Sequence, residues 1–285
     1  MNTAKLKTSL GLLLLAALIL SSACDNSLGF FSGIQTETVQ SSNKIFVETA
    51  TRDIVKLGGN YYAVTKGIYT RAAASGTWSL VSNAAFGDNY RCVGIAVVGT
   101  DLYAAIRGSD VSGAAMKGVF VTTDGSSWNL VDSAFSTTKD IQTLYSATDR
   151  LYAVVNESGS YNLYHLSGTF VDSGLASSAT MATGVVKVGA NYWTAQGDKV
   201  FNDSADAAAP SGSNFAGIAT DGTNVYVVTA GRNVYRYNAG WSAPLALSAT
   251  TTELPSGIAY VADPAATPRL VVGLSGSSKG YYEVA

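Results

Sequence analysis

Charged side chains are scarce in this chain. Lys, Arg, Asp and Glu make up 13% of the 285 residues, and the formal net charge is −2, whereas about a quarter of the residues in an average soluble protein are charged. The basic residues form no polybasic run. A protein domain that binds nucleic acid or anionic lipid needs such a cluster, because contacts to phosphate groups are made mainly by Lys and Arg. The composition therefore predicts no nucleic-acid partner.

Residue types that carry catalysis and bind metals are scarce as well. The chain has one histidine, His165, and two cysteines, Cys24 and Cys92. A histidine-dependent triad or a zinc site needs several such residues. Phosphate-binding glycine loops and Asp-x-Asp calcium loops are also missing, and we expect the nearest approach to one, residues 202–206, to be a solvated turn. The sequence thus predicts no catalytic residues, no metal site and no cofactor.

The sequence also predicts no amphipathic helix beyond position 23, because no stretch there repeats apolar residues every 3.6 residues over three turns. The chain has instead a short pattern that returns six times at intervals of about 40 residues. Each copy has an apolar strand, a Gly/Asn/Asp turn, a second strand with an aromatic residue near its start, a polar loop and a third strand. The turn and second strand occupy 59–64, 99–105, 148–154, 189–194, 222–228 and, less clearly, 267–272.

Repeats of this kind are typical of radial β-arrays, because one short sheet cannot bury both of its faces alone. We therefore predict an all-β fold, a six-bladed β-propeller with mostly four-stranded blades. Gly94, Gly184, Gly217 and Gly257 precede four of the inner strands, and we expect them to allow the backbones to approach one another around the axis. The sixth repeat has no outer strand, so we predict that an N-terminal strand, Lys44–Thr49, completes the last blade and closes the ring.

The N-terminus has the features of a processing signal. Lys5 and Lys7 precede an apolar run, Leu10 to Leu20, which is too short to cross a membrane comfortably. Small residues and Cys24 follow, and in this the segment resembles a bacterial lipoprotein signal. The resemblance implies that Cys24 carries fatty-acyl chains of the palmitate type and becomes the new N-terminus. The alternative is an ordinary secretory signal with a chance cysteine.

The same resemblance divides the chain into a signal peptide (1–23), a lipidated cysteine with a flexible tether rich in Ser, Gly and Thr (24–42), and a β-propeller domain (43–285). It implies a protein of the bacterial cell envelope, held by its lipid on the periplasmic face or at the cell surface; the membrane and the leaflet stay open. Cys92 is then left without a disulfide partner, and we expect it to be a buried core residue.

One hairpin carries a second resemblance. The segment Val121-Thr122-Thr123-Asp124-Gly125-Ser126-Ser127-Trp128 resembles the Asp-box turn of sialidase-like propellers, with one residue fewer between the aspartate and the tryptophan than the usual form. In such propellers the box is a structural turn. The resemblance implies that Asp124 caps the hairpin and that Trp128 packs beneath it.

The chemistry of a sialidase does not follow from this turn. That reaction needs three arginines on one carboxylate, a tyrosine nucleophile with its glutamate, and an acidic acid/base residue. Arg71, Arg150, Arg236 and Arg269 fall on third strands or in turns away from the channel mouth, and glutamates are few. We therefore expect no enzymatic activity.

Recognition on rigid arrays commonly uses their longer loops. The loop over 107–117 in the second repeat is the longest between a second and a third strand, and polar residues end the second strands of the first three repeats. We therefore predict a partner-binding site over the first three blades. Its candidate residues are Tyr90, as an aromatic platform, and the polar anchors Arg91, Arg107, Asp110, Asn156 and Glu157. The alternative is that these residues belong to ordinary solvated loops.

Two functions are compatible with these features. The first is a non-enzymatic envelope lipoprotein that acts as a protein-binding scaffold or assembly factor; the second is a glycan-binding module or degenerate sialidase-like glycoside hydrolase. Tyr90, Tyr161 and Trp193 clustered around the channel mouth with paired carboxylates would favour the glycan, and a flat polar rim would favour the protein partner. A purely structural envelope component is a third possibility, because a fold alone does not determine a function.

Overall fold

The structure is a computed structural model, and it describes residues 53–72, 76–109, 113–175, 177–210, 214–247, 254–262, 268–275 and 280–284. Within these ranges the chain forms six antiparallel sheets, each built from strands that are consecutive in sequence. The described residues include one short helix, α1 (Ser133–Ser136), whose first turn is capped by the side chain of Asp132.

Strands in each of the first three blades pair in sequence order, from the inner strand to the outer strand. The first blade consists of β1 (Asp53–Leu57), β2 (Asn60–Val64), β3 (Ile68–Ala72) and β4 (Ser79–Leu80). The second consists of β5 (Arg91–Val98), β6 (Asp101–Arg107), β7 (Met116–Thr122) and β8 (Asn129–Val131). The third consists of β9 (Asp140–Ala147), β10 (Arg150–Glu157), β11 (Ser160–Ser167) and β12 (Thr169–Asp172).

The last three blades follow the same plan with shorter outer strands. The fourth blade consists of β13 (Ala182–Val188), β14 (Asn191–Gln196), β15 (Lys199–Asn202) and β16 (Ala205–Asp206). The fifth consists of β17 (Phe215–Thr220), β18 (Val225–Thr229), β19 (Asn233–Tyr237) and β20 (Leu245–Ala246). The sixth consists of β21 (Leu254–Val261), β22 (Arg269–Ser275) and β23 (Gly280–Val284).

The inner strands of successive blades lie beside one another, from β1 through β5, β9, β13 and β17 to β21. Five apolar clusters of described residues fill the spaces between neighbouring blades. In the first of them Phe86 is fully buried and its ring lies 5.2 Å from those of Phe120 and Trp128, centroid to centroid. The predicted six-bladed β-propeller is confirmed.

Each inner strand from the second blade to the sixth contains a bulge at the same place. We call the residue that directly follows the bulge the glycine position; it is occupied by Gly94, Thr143, Gly184, Gly217 and Gly257. In the first blade this position belongs to Asp53, because Asp53 pairs with Val64 as Gly94 pairs with Ala105.

The glycine position brings neighbouring blades close together. A Cβ added to Gly94 would lie 2.4 Å from the backbone nitrogen of Leu144, and one added to Gly217 would lie 2.8 Å from that of Ile258. At Gly184 the Cβ would meet the side chain of Ile218 at 2.9 Å. The predicted close approach of backbones is confirmed at Gly94 and Gly217; at Gly184 the nearest backbone atom, the oxygen of Ile218, would be 3.9 Å away, and a Cβ at Gly257 would have no described atom within 4 Å.

Several predictions concern residues outside the described ranges: the signal peptide (1–23), the lipidated Cys24, the tether to residue 42 and the strand Lys44–Thr49. The sixth sheet has three strands in the described part of the chain, so that β23 forms its edge. No helix among the described residues has both the length and the apolar character needed to span a membrane.

Candidate functional site

Arg107 ends the second strand of the second blade and reaches the third blade. Its guanidinium forms an ion pair with Asp140 through Nη2, which also donates to the backbone oxygen of Ile141 at 3.1 Å. The other terminal nitrogen, Nη1, donates to the backbone oxygen of Ala114 at 3.0 Å. The side chain is only 12% exposed. Arg107 therefore joins two blades and the long loop of the second blade, and most of its donors are used within the protein.

Glu157, at the end of β10, lies in a cluster of polar side chains of the third blade. Its carboxylate accepts hydrogen bonds from Lys139, Asn162 and Tyr164. The hydrogen bond from Lys139 lowers the pKa of Glu157, and the same contact raises the pKa of Lys139. Both groups thus stay charged around neutral pH, as a fixed pair at the end of the blade where β10 leads into β11. We call this end of the second and third blades, with Arg91, Arg107, Lys139, Asp140 and Glu157, the rim.

Asn156 is a turn residue, because its Oδ1 accepts a hydrogen bond of 2.9 Å from the backbone nitrogen of Gly159. This contact closes the hairpin between β10 and β11, in which Ser158 and Gly159 both have positive φ angles. Asparagine and glycine are favoured in such tight turns. Asp110, the remaining acidic candidate, lies outside the described residues.

Tyr90 is not the exposed platform that the sequence predicts. Its side chain is 5% exposed, and its ring lies 5.0 Å from that of Phe86. The hydroxyl accepts a hydrogen bond of 3.0 Å from the backbone nitrogen of Ile68 and donates one of 2.7 Å to the oxygen of Val81. Burial raises the pKa of this hydroxyl far above its ordinary value. Tyr90 is a core residue that fixes the linker between the first two blades, because a buried tyrosine needs partners for its hydroxyl.

Replacing Tyr90 by phenylalanine should lower the free energy of unfolding by about 1–2 kcal/mol, because the change leaves two buried backbone groups without a partner. Chemical denaturation of the two proteins measures this difference. Tyr237→Phe is the control, since Tyr237 is half-buried and its hydroxyl has no hydrogen bond within the described residues; it should have little effect. Equal losses from both substitutions would contradict the core role of the Tyr90 hydroxyl.

Arg91, which begins β5, differs from Arg107 in its side-chain contacts. It is half-buried and pairs through its backbone with Arg107 on the adjacent strand. In the described part of the chain its guanidinium has no hydrogen bond or ion pair. Three residues before it, Asp88 is exposed on the linker between the blades. Among the described residues, this end of the second blade therefore presents two cations without a hydrogen bond or ion pair, Arg91 and Lys117, whose ammonium nitrogen lies beside Gly87.

The turn with Asp124 has a structural role. The carboxylate accepts hydrogen bonds of 2.8 Å from the backbone nitrogens of Ser127 and Ser126, and one of 2.9 Å from the hydroxyl of Thr122. The first two bonds contribute most to holding the pKa of Asp124 well below its ordinary value. Trp128 follows the turn and is 8% exposed, packed against Phe86.

The cysteine and the histidine that the structure describes, Cys92 and His165, both lie within strands of the fold. Cys92 is fully buried, and its sulfur contacts the backbone oxygen of Gly94 at 3.3 Å, as expected for a core cysteine. His165 is half-buried in β11, and burial lowers its pKa. Among the described residues no group of three or more His, Cys, Asp or Glu is arranged to hold a metal ion.

The predicted candidates therefore separate into different roles. Arg107 and Glu157 are held in ion pairs, Asn156 closes a turn, and Tyr90 is buried. Their partners Asp140 and Lys139 were not among the predicted site residues. A signal for them exists in the sequence: Arg107 and Asp140 are opposite charges at the end of one second strand and at the start of the next inner strand, and Lys139 and Glu157 are opposite charges at adjoining ends of two strands of the third blade.

Comparison with known proteins finds solved structures with a similar fold but no protein of similar sequence. No protein-family model and no curated protein matches the chain. Among solved structures, the extracellular domain of a hybrid two-component system from B. thetaiotaomicron matches with a TM-score of 0.58 and 12% identity, over 83% of this chain and 32% of that chain. This chain thus spans about a third of that protein's length.

Two further solved structures are similar at the same level. The computationally designed Ika8 protein has a TM-score of 0.53 and 10% identity, over 82% of this chain and 71% of that chain. Apo AztD from Citrobacter koseri has a TM-score of 0.50 and 11% identity, over 79% and 66%. At such low identity these similarities concern the fold alone.

The rim over the second and third blades offers fixed charges at the ends of strands. Arg107 with Asp140 and Lys139 with Glu157 are pairs whose geometry is set by neighbouring strands, and Arg91 adds a cation that is unpaired within the described ranges. Trp193 is 5% exposed, so it offers no open ring face like the one predicted for Tyr90, and Tyr161 is half-buried. The described part of this rim is polar.

Proposed function

We propose that this protein is a membrane-anchored, extracytoplasmic lipoprotein whose β-propeller binds another envelope protein and has no enzymatic activity. The observation that carries the proposal is the polar character of the rim, in which Tyr90 and Trp193 are buried and charged groups remain. Glycan-binding sites need open aromatic faces against which a sugar can pack, and burial removes these two rings from such a role. Preorganised charges on a rigid surface favour specific protein docking.

Two further points support the location outside the cytoplasm. The N-terminal segment resembles a lipoprotein signal with Cys24 as the acylated residue. A similar fold occurs in the extracellular domain of the two-component system from B. thetaiotaomicron. Two or more acyl chains on Cys24 would give stable attachment to a membrane.

The binding site is tested by chemical crosslinking of the full-length lipoprotein in its own envelope. Arg91→Glu reverses an uncompensated charge of the rim, and the matched control Arg236→Glu reverses an exposed arginine of β19 in the fifth blade. We expect a specific protein adduct that Arg91→Glu reduces at least tenfold and that the control retains.

Two results would count against the proposal. An adduct that persists in the Arg91→Glu protein would place the docking surface elsewhere. If wild-type protein forms no protein adduct but binds purified envelope glycans, the glycan-binding alternative replaces the scaffold.

A further inference from the structure

The third strand of the second blade, β7, contains a bulge. Successive residues of β6 pair with Gly118 and Met116, so that Lys117 between them is an extra residue without a partner on β6. The described pairings of the other five third strands with their second strands are regular. A bulge changes the direction in which a side chain leaves the sheet, and bulges are frequent next to functional sites. The direction of the Lys117 side chain is therefore a particular feature of the second blade.

Two glycines make room for the side chain of Lys117. A Cβ added to Gly108 would lie 3.3 Å from Cε of Lys117, and one added to Gly87 would lie 2.9 Å from its ammonium nitrogen. The half-buried lysine thus occupies the space that a side chain at either position would take, and it reaches the linker between the first two blades. A lysine held in this way has already lost, on folding, part of the side-chain entropy that a mobile surface lysine loses on binding.

Arg91 lies at the same end of the second blade. It pairs with Arg107 on β6, and Arg107 pairs in turn with Met116, the residue before Lys117. The backbones of Arg91 and Lys117 are thus two strands apart, which corresponds to about 10 Å. Gly87, which lies beside the ammonium group, is only four residues before Arg91 in the chain. The two cations therefore share one surface.

Neither cation is neutralised within the part of the chain that the structure describes. The acidic residue of the linker, Asp88, is exposed and forms no ion pair with a described residue. The other charges of the rim are engaged in two ion pairs, Arg107 with Asp140 and Lys139 with Glu157. A chain with a net charge of −2 thus presents two positive charges here whose positions are set by the fold.

The number of cations favours a peptide ligand. Nucleic acid and anionic membranes are bound by larger clusters of Lys and Arg, and the sequence has no polybasic run. The anions of a protein partner are the carboxylates of Asp and Glu, which form strong charge-assisted hydrogen bonds with guanidinium and ammonium groups. Side chains on one face of an extended segment recur about every 7 Å, so two of them can reach cations on strands about 10 Å apart.

We propose that Arg91 and Lys117 bind an acidic segment of the partner protein, a step that rests on the proposed docking function. Asp or Glu side chains of this segment accept hydrogen bonds from the guanidinium of Arg91 and from the ammonium of Lys117. The bulge and the two glycines hold the lysine in place before the partner arrives, so that complex formation requires little rearrangement of this surface.

A water-soluble carbodiimide tests the proposal, because it joins a carboxylate directly to a lysine amine as an amide, whereas arginine does not react. The reagent is applied to the full-length lipoprotein in its own envelope. We expect mass spectrometry to find Lys117 joined to an Asp or Glu of another protein. Lys117→Arg keeps the positive charge and should lose this product.

Photo-crosslinking from position 89 reports docking without the use of an amine. Asn89 is exposed on the linker, and a benzoylphenylalanine in its place should give an adduct with the same protein. Lys117→Arg should retain this adduct, whereas Lys117→Gln should reduce it about tenfold, since it removes the charge. Lys56→Gln is the matched control and should have no effect, because Lys56 is exposed at the opposite end of the first blade. All three variants should melt within about 2 °C of wild type.

Three outcomes would overturn the proposal. A photo-adduct that Arg91→Glu abolishes, without any amide at Lys117, would mean that the partner docks here without carboxylates, and the proposed function would stand. An amide between Lys117 and a carboxylate of the same chain, or of an acidic glycan, would identify a different counterion. If neither reagent yields a protein adduct, the docking function fails and the acidic segment with it.

Discussion

Replacing Gly94 by alanine should lower the melting temperature by about 6–12 °C. The added Cβ would lie 2.4 Å from the backbone nitrogen of Leu144 and 2.9 Å from backbone atoms of Thr143. Since both neighbours are backbone, neither can rotate away, and the second and third blades have to separate. Overpacking in a filled core costs about 3 kcal/mol, and a domain of this size loses about 2–4 °C per kcal/mol.

Gly257→Ala is the matched control, because Gly257 occupies the same position of the last blade and a Cβ there would meet no described atom within 4 Å. It should be neutral or slightly stabilising, since alanine restricts the unfolded chain more than glycine does. Calorimetry on the two variants gives the comparison. Equal melting temperatures would mean that close approach at the glycine position does not limit the packing of the blades.

The glycines also show why the fold was predictable from the sequence. Each repeat combines strand periodicity with a turn signal, and these local features identify the strands without knowledge of their packing. The six predicted inner strands all occur, although β5, β13, β17 and β21 begin three or four residues before the apolar residues at which the sequence predicts them to start, Ile95, Val185, Ile218 and Ile258. The additional residues include the bulges, which depend on pairing with the second strand and have no local signal.

The candidate site was less predictable, because burial and ion pairing depend on contacts between blades. Tyr90 lies in a linker that looks polar in sequence, yet it is drawn into the core with Phe86, four residues before it. The partner of Arg107 is 33 residues away in the next blade. Only the relative placement of two blades brings these side chains together, so the sequence identified polar residues at strand ends but not which of their charges are engaged.

Whether a charged side chain is already engaged within the protein determines whether its substitution tests partner binding or the stability of the fold. Arg91 can be changed without removing a side-chain hydrogen bond or ion pair within the described residues, whereas Arg107 orients both Asp140 and the backbone of the long loop at Ala114. A loss of partner binding on changing Arg107 would combine the loss of a surface charge with a displaced loop. Arg91 is therefore the residue with which to test docking, and Arg107 the one with which to test the architecture of the rim.

Arg107→Ala is expected to destabilise the protein by about 3 kcal/mol, because it removes a guanidinium that is 12% exposed and leaves the oxygens of Ile141 and Ala114 without their donor, in addition to the ion pair with the exposed Asp140. The melting temperature should fall by about 6–12 °C. Arg91→Ala is the control: it removes the same residue type from the adjacent strand, and it should shift the melting temperature by no more than about 2 °C.

Ionic strength separates this role of Arg107 from that of an ordinary surface charge. Its side chain is 12% exposed and donates to the backbone oxygens of Ile141 and Ala114, and salt does not remove these two hydrogen bonds, whereas the ion pair with Asp140, which is 46% exposed, is open to screening. The difference in melting temperature between Arg107→Ala and wild type should therefore persist in about 1 M NaCl, where the Debye length is only about 3 Å. A difference that disappears at high salt would show instead that Arg107 and Asp140 form a solvated pair, and that the backbone contacts of Arg107 contribute little to joining the second and third blades.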